Sequence, residues 1–234
     1  MYEPTLIIFA REPVSGVAKT RLIPALGPRK AAALAHAFNL DAVAKAAALG
    51  VPVLVAGAGR RAYFTDLAGR AGGQFIAQGR GNLGKKMART LNTCHLNGAI
   101  LIGTDTPTLP SRCLSRAIDL LRKFPVVLGP SLDGGYYLVG VRGPMPEIFS
   151  GIEWGTETVL SLTLQRLTTQ AIRYALAPIW YDVDDANDLP LLAAHLRLLR
   201  SDHAKGDDER RKFRGAQQHP CPATAALLEK FRLI

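Results

Sequence analysis

An apolar run at residues 99–103 ends directly in Thr-Asp-Thr-Pro. A run of this length, bounded by turn-forming residues, predicts a buried parallel strand, and open α/β sheets bind ligands outside the carboxyl ends of such strands. Asp105 therefore lies where a metal ligand would lie. The alternative is that Asp105 caps a helix predicted to begin near Ser111, and this motif alone leaves both interpretations open.

Similar apolar runs alternate with helical patterns along most of the chain. Strands are predicted at residues 6–9, 51–55, 74–77, 99–103, 126–128, 136–141 and 171–176. Helices are predicted at residues 29–49, 83–96, 112–123, 157–167, 189–200 and 223–233, with Thr156 as the N-cap of the fourth. This alternation predicts an α/β fold with a mostly parallel central sheet.

The length of 234 residues favours one large domain, which we place at residues 1–200. Residues 201–234 begin with a polar, charged stretch that we interpret as a linker or mobile segment before a short terminal helix. No apolar run approaches the ~18 residues that a membrane span needs. The sequence opens without a recognisable signal peptide, so we expect a cytoplasmic protein. Its three cysteines lack the spacing of a zinc site or a disulfide framework.

The net charge of +10 is concentrated in the first part of the chain. Residues 1–90 hold 13 Lys and Arg against 4 Asp and Glu, whereas residues 91–200 hold 9 against 10. A basic segment of this kind attracts nucleic acid, an anionic membrane or a polyphosphate. The sequence has no nucleic-acid recognition motif, so a small phosphorylated ligand is the favoured partner and nucleic acid is not expected.

The loop at residues 10–22 follows the first predicted strand and has the composition of a phosphate site. Gly16 permits a tight turn, and Arg11, Lys19 and Arg21 bring three cations to one edge of the sheet. Arginine can donate two hydrogen bonds to a phosphate, and lysine adds a compact charge. The spacing matches neither a Walker A loop nor a dinucleotide fingerprint, and a solvated basic loop is the alternative.

A second basic, glycine-rich turn spans residues 78–87. Its glycines would let the backbone approach a flat ligand, and the following helix would point its amino end at that ligand. We assign Gln78 and Gly84 to ligand binding, although an ordinary strand-to-helix turn explains the pattern equally well. We expect Trp154 to be exposed and to stack on a sugar or lipid acceptor. The alternative interpretation is that Trp154 is part of the hydrophobic core.

Two further acidic clusters fall in predicted loops rather than on helix faces. Asp133 opens one of them, and Asp182 and Asp184 belong to the other. A magnesium ion prefers one or two carboxylates together with phosphates and water, which Asp105 with Asp182 or Asp184 would provide. Paired carboxylates also suit a glycosidase, but a neighbouring basic loop argues for transfer from a phosphorylated donor. Asp185 or Asn187 is expected only to cap the last long helix.

Taken together, these motifs resemble the bacterial DUF2064 family over residues 5 to about 200. The matching segments read FAREPVSGVAKTRL, QGRGNLGKKM, GTDTPTL, LGPSLDGGYYLVG, WGTETVL and YDVDDANDL. The resemblance implies a glycosyltransferase with the nucleotide-diphospho-sugar transferase (GT-A) fold, related to the molybdenum-cofactor and phospholactate nucleotidyltransferases. It implies a three-layer α/β/α arrangement around about seven mostly parallel strands.

The resemblance also implies roles for individual residues. Phosphate contacts fall to Arg11, Lys19 and Arg21, and metal ligation falls to Asp105 with Asp182 or Asp184. Asp133, Gly134 and Gly135 would line the donor or acceptor pocket. The catalytic set is then Asp105, Lys19 and Arg21, with Mg²⁺ or Mn²⁺ as cofactor.

Three functions follow from this reading. The first is a metal-dependent glycosyltransferase that uses a nucleotide-sugar, in which the metal acts as Lewis acid and template. The second is a nucleotidyltransferase that joins a nucleoside triphosphate to an acceptor and releases pyrophosphate. The third is a non-catalytic nucleotide-binding protein. The base, the acceptor and the oligomeric state stay open.

Overall fold

Seven strands form a single mixed sheet at the centre of the molecule. The computed structural model describes residues 3–94, 97–204 and 221–234. The strands are β1 (Thr5–Arg11), β2 (Val53–Ala58), β3 (Gln74–Ala77), β4 (Ala99–Ile102), β5 (Val126–Pro130), β6 (Tyr136–Val141) and β7 (Tyr174–Leu176). Their order across the sheet is β3-β2-β1-β4-β6-β5-β7.

Strand β6 is the one strand of this sheet that runs against its neighbours. It pairs antiparallel with both β4 and β5, whereas the pairs β1 with β2, β1 with β4, β2 with β3, and β5 with β7 are parallel. The carboxyl ends of the six other strands therefore meet at the same edge as the start of β6. The loops at that edge are where an α/β sheet of this kind binds ligands.

Side chains alternate between two apolar layers on the two faces of the sheet. Leu6 and Ile8 of β1 enter one buried cluster, and Ile7 between them enters the other. Both faces are covered, which is why β4 and β5 are apolar and buried along their whole length.

Helices form the outer layers. They are α1 (Ile23–Leu26), α2 (Pro28–Ala47), α3 (Arg61–Gly69), α4 (Leu83–Leu91), α5 (Ser111–Leu121), α6 (Val159–Thr169), α7 (Asp188–Ala204) and α8 (Pro222–Lys230). Helices α2, α3 and α5 supply the cluster that contains Leu6, and α4 and α6 supply the cluster that contains Ile7. Among these helices, none is long and apolar enough to cross a membrane.

A third apolar cluster joins the terminal helix to the first part of the chain. Ala225 and Leu228 of α8 pack with Leu34 and Phe38 of α2 and with Val183 from the segment after β7. The terminal helix expected from the sequence is thus present and packs on α2.

The predicted three-layer α/β fold with a mostly parallel, mixed sheet of seven strands is confirmed. Two local predictions were wrong. Thr156 does not cap α6, which begins at Val159, because the Thr156 hydroxyl donates to the Glu153 carbonyl. The second predicted helix, at residues 83–96, ends at Leu91, and its last two predicted residues lie outside the described part of the chain. The predicted charged segment lies mostly outside it as well, since residues 205–220 are not described.

The turn between β5 and β6 is pressed against the segment that leads into α6. Gly134 has a φ of +85°, and a Cβ at this position would lie 2.2 Å from the Glu157 carbonyl oxygen. The Gly134 carbonyl in turn accepts a hydrogen bond of 2.9 Å from the Leu160 amide. Only glycine satisfies both the backbone angle and the close approach.

We predict that Gly134→Ala destabilises the protein by roughly 3 kcal/mol, because backbone strain of about 1 kcal/mol is added to a clash with main chain. Gly16→Ala is the matched control, since Gly16 has a φ of +82° but nothing within 4 Å of the added Cβ. Urea unfolding measures both free energies. Equal losses for the two variants would show that the approach of α6 does not constrain this turn.

Candidate active site

A cleft of about 550 Å³ opens at the carboxyl edge of the sheet. Its lining includes the loop after β1, the segment after β3, the loop after β4, the β5–β6 turn, the segment before α6 and the segment after β7. Ten of the residues predicted for the site line this cleft: Arg11, Lys19, Arg21, Gln78, Asp105, Asp133, Gly135, Trp154, Asp182 and Asp184. The cationic loop and the later carboxylates therefore share one cavity.

Lys19 lies at the centre of the charged part of the cleft. Its ammonium is 2.6 Å from Asp105 Oδ1 and 2.7 Å from Asp184 Oδ1, and it donates to the Val183 carbonyl at 2.7 Å. An ammonium has three N–H donors, so all three are directed at oxygen atoms. The Phe38 ring lies 5.5 Å from the same nitrogen.

The local backbone explains how Lys19 reaches this position. Lys19 adopts a left-handed conformation, with φ 49° and ψ 51°, directly before a 3-10 turn at Thr20–Leu22. Leu22 at the end of this turn is fully buried and anchors the loop in the third apolar cluster. Burial alone would lower the pKa of the Lys19 ammonium, but the charges of Asp105 and Asp184 outweigh burial and raise that pKa.

A cluster of three carboxylates adjoins Lys19. Oxygen atoms of Asp133, Asp182 and Asp184 lie within 4.8 Å of one another, close enough to ligate one metal ion. Asp184 belongs to this cluster and also contacts the Lys19 ammonium, whose second carboxylate partner is Asp105. The sequence placed Asp133 in the donor or acceptor pocket, whereas the structure brings it among the carboxylates expected to bind metal.

The segment after β7 is held in place by main-chain hydrogen bonds. The Val183 amide donates to the Asp105 carbonyl at 2.8 Å, and the Val183 side chain is fully buried. Asp182 and Asp184 on either side of it both line the cleft. Asp188 accepts from the amides of Asp184 and Asp185 and closes the turn before α7.

The sequence allowed a helix-capping role for Asp105 and for Asp185 or Asn187. Asp105 does not cap α5, whose N-cap is Pro110, and its carboxylate contacts Lys19 instead. Asp185 accepts from the Asn187 amide at 2.7 Å, so this carboxylate stabilises the turn before α7.

Asp182 is the carboxyl group most perturbed by this arrangement. Burial, together with the negative charges of Asp133 and Asp184, raises the pKa of Asp182 to about 6. Like charges held this close repel one another unless a cation lies between them. The cluster therefore has the electrostatics of a cation site.

The cleft lining also includes further cations and a fixed side-chain amide. Arg11 and Arg21 are two of these cations. The Gln78 side chain is 4% exposed, and its amide donates to the carbonyls of Ala10 and Ala56 at 2.9 and 3.0 Å. Gln78 thus ties the ends of β1 and β2 together beside the cleft.

Three predicted glycines do not line the cleft. Gly16 lies in the basic loop, and Gly134 supports the β5–β6 turn. Gly84 packs behind Trp154, because a Cβ there would lie 2.8 Å from the Trp154 ring. Trp154 is half-buried rather than exposed as expected, and it packs at the margin of the cluster that contains Ile7.

Several polar residues that line the cleft were not selected from the sequence, among them Lys86 and Asn39. Lys86 belongs to the second basic turn, so its charge was visible in the sequence. Asn39 gave no signal, because it lies within an alanine-rich helix. Its side-chain amide donates to the Arg11 carbonyl at 3.1 Å and to the Tyr63 hydroxyl at 3.0 Å. The hydrogen bond to the Arg11 carbonyl fixes the carboxyl end of β1 to helix α2.

Comparison with known families shows to which family the chain belongs. Residues 39–156 match the model of DUF2064, described as an uncharacterized protein conserved in bacteria. The chain belongs to the DUF2064 family. A search of the curated proteins finds no match to this sequence.

Solved structures extend the comparison to the whole chain. A protein from Desulfovibrio desulfuricans G20, provisionally named a nucleotide-diphospho-sugar transferase, is 27% identical with a TM-score of 0.78 and covers 100% of this chain and 97% of its own. CMP:2-keto-3-deoxy-manno-octonic acid synthetase with CTP is 14% identical with a TM-score of 0.52, covering 86% of this chain and 99% of its own. Glucosyl-3-phosphoglycerate synthase from Mycobacterium tuberculosis, with Mn²⁺ and UDP, is 9% identical with a TM-score of 0.50, covering 80% and 74%.

These comparisons confirm the predicted family and the fold of the nucleotide-diphospho-sugar transferases. Glycosyl and nucleotidyl transferases are both among the neighbours, in agreement with the predicted transferase class.

We predict that Asp182→Asn stabilises the metal-free DUF2064 protein by about 1 kcal/mol at pH 7.5, after allowance for solvent screening. The pKa of Asp182 is about 6 in the folded state against an ordinary value of 3.8. Between these pH values the folded state keeps a proton that the unfolded state has released, so stability from this group falls as the pH rises. Thermal unfolding at pH 4 and pH 7.5 measures the difference.

The advantage of the Asn variant should disappear near pH 4, where Asp182 is protonated in wild type. Asp119→Asn, which removes a surface carboxylate that pairs with Arg122 on α5, is the control and should show no gain at pH 7.5. A loss of stability in Asp182→Asn at pH 7.5 would contradict the repulsion inferred here.

Proposed function

We propose that the protein is a divalent-metal-dependent glycosyltransferase that uses a nucleotide-diphospho-sugar donor. The observation that carries this proposal is the convergence of the basic loop with three carboxylate-bearing segments in one cleft, made concrete by the contacts of Lys19 with Asp105 and Asp184. A pyrophosphate and its counter-ion need both signs of charge at one place.

The carboxylates fit a hard divalent ion. Asp182 and Asp184 offer oxygen ligands within one cluster, Asp133 completes the cluster, and Asp105 contacts the same Lys19 ammonium as Asp184. We propose Asp105, Asp182 and Asp184 as ligands of Mg²⁺ or Mn²⁺, with Asp133 as a further candidate. When bound there, the ion would supply positive charge to the diphosphate of the leaving nucleotide.

The chain's own cations would act on the phosphates. Arg11 at the end of β1, with Lys19 and Arg21 from the loop after β1, lines the cleft, and the three would hold the nucleotide diphosphate as negative charge develops on it. Gln78 and Gly135 line the same cavity, and Trp154 forms its wall on the side of α4 and α6. We place the nucleotide diphosphate of the donor against Arg11, Lys19 and Arg21, and the sugar or the acceptor toward Trp154.

A second candidate is a nucleotidyltransferase that releases pyrophosphate. The number of cations favours it, because Lys86 adds a fourth cation to the three in the basic loop, and a triphosphate carries more charge than a diphosphate. Both reactions need the same carboxylates and differ in which bond breaks. The cytoplasmic location expected from the sequence remains a prediction.

A panel of nucleotide-sugars and nucleoside triphosphates, with and without Mg²⁺ or Mn²⁺, tests the proposal. A ligand present at 100 times its dissociation constant should stabilise the fold by ~2.7 kcal/mol, and we expect this only with metal. Stabilisation by a nucleotide-sugar with release of the nucleoside diphosphate supports the glycosyltransferase. Pyrophosphate release from a triphosphate supports the second candidate, and metal-independent binding without turnover contradicts both.

We predict that Lys19→Met raises the affinity for Mn²⁺ in the absence of nucleotide by about tenfold or more, since the ammonium now neutralises the proposed ligands Asp105 and Asp184. The same substitution should weaken nucleotide binding, because the phosphate loses a cation. Electron paramagnetic resonance of free Mn²⁺ measures the first effect, and calorimetry measures the second.

Lys86→Met is the matched control. Lys86 lines the same cleft, but within the described part of the chain it forms no ion pair with these carboxylates. Removing its charge should change the Mn²⁺ affinity much less than Lys19→Met. Equal effects of the two substitutions would show that Lys19 influences the carboxylates only through long-range charge.

A further inference from the structure

Helix α2 carries two buried charged side chains outside the cleft, Asp41 and Lys45. They are 1% and 7% exposed. Neither lines the cleft, and residues four apart lie on the same face of a helix. Burying two charges is costly unless each has specific partners, so their partners indicate what they do.

Asp41 accepts hydrogen bonds from the start of the terminal helix. Its Oδ1 accepts from the Ala223 amide at 2.8 Å, and its Oδ2 accepts from the Thr224 amide at 2.9 Å and the Thr224 hydroxyl at 2.5 Å. These amides belong to the first turn of α8, which has no side-chain cap of its own. A carboxylate at this position satisfies unpaired donors and interacts favourably with the helix dipole.

Lys45 serves the loop after β4. Its ammonium donates to the Pro107 carbonyl at 2.9 Å, and Pro107 ends the motif at residues 104–107 that carries Asp105. Other main-chain bonds hold this loop at Gly103, bonded to the Tyr137 carbonyl, and at Asp105, whose carbonyl accepts from the Val183 amide. Through its hydrogen bond to Pro107, Lys45 fixes the last residue of this motif to helix α2.

We propose that Lys45 is a positioning residue for Asp105: it fixes the loop after β4 through the Pro107 carbonyl, while Asp41, one turn earlier on α2, holds the terminal helix. The anchoring role stands on the contacts described above, and its consequence for metal binding rests on the proposed function. Burial lowers the pKa of Lys45 to about 8, while Cys221 and Asp41 act in the opposite direction, so the charged form is retained at neutral pH.

Two substitutions separate positioning from general stability. Lys45→Met keeps the length and bulk of the side chain but removes the donor to Pro107. Thr224→Val removes one hydrogen bond to the neighbouring buried residue Asp41, which among the described residues forms no hydrogen bond to the loop after β4, and preserves shape. Both should lower the melting temperature, but only Lys45→Met should affect the loop after β4.

Hydrogen exchange of the peptide spanning residues 103–109 and Mn²⁺ affinity by paramagnetic resonance are the two readouts. In Lys45→Met we expect exchange to be faster and Mn²⁺ binding weaker by about tenfold, the change expected for loss of one charged hydrogen bond. In Thr224→Val both should stay at the wild-type level. Where Lys45→Met does not fold, Lys45→Gln, which is too short for the same contact, is measured in its place.

The outcomes distinguish the two hypotheses. Unchanged exchange in residues 103–109 of the Lys45 variant overturns the anchoring role, whatever happens to Mn²⁺. Faster exchange together with an absence of Mn²⁺ binding in wild type contradicts the proposed function and leaves the anchor standing. Faster exchange with unchanged Mn²⁺ affinity overturns the positioning of Asp105. Equal changes of exchange and Mn²⁺ affinity in Thr224→Val would show that Lys45 contributes only to the general stability of the fold.

Discussion

The contacts of the Lys19 ammonium with Asp105, Asp184 and the Val183 carbonyl constrain the site more than any other interaction. They join the loop after β1 to two loops that come much later in the chain. Because the Lys19 side chain is 10% exposed and loses hydration, while Asp105 and Asp184 are 48% and 42% exposed and partly screened by water, these pairs add little stability by themselves. Their consequence is geometric, since the basic loop and the carboxylates cannot adopt their positions independently.

Much of this convergence could be predicted from the sequence. Apolar runs bounded by turns predicted parallel strands, and parallel strands bring their carboxyl ends to one edge. Lys19, Asp105 and Asp184 all follow such strands or the short strand β7. Periodicity and turn chemistry were sufficient here because strands that are buried on both faces are continuously apolar.

The remainder depended on tertiary contacts that leave no pattern in the sequence. Asp133 joins the acidic cluster because β6 runs antiparallel and returns its starting turn to the ligand edge. Helix α3 was missed because it is short and buries only three side chains, Phe64, Leu67 and Ala68. Lys45 reads as a solvated lysine on an alanine-rich helix, and only the docking of α8 and the loop after β4 reveals its burial.

The family match and the site cover different parts of the chain. The matched residues 39–156 contain Asp105, Asp133 and Gln78, while Lys19 and Asp184 lie on either side of them. Both flanks contribute to the third apolar cluster, where Leu22 from the basic loop, Val183 from the acidic segment and Leu228 of α8 are buried together. The terminal helix therefore supports the two flanks at once. A chain ending before α8 would keep every charged residue proposed for the site but would lose part of the core that brings opposite charges together.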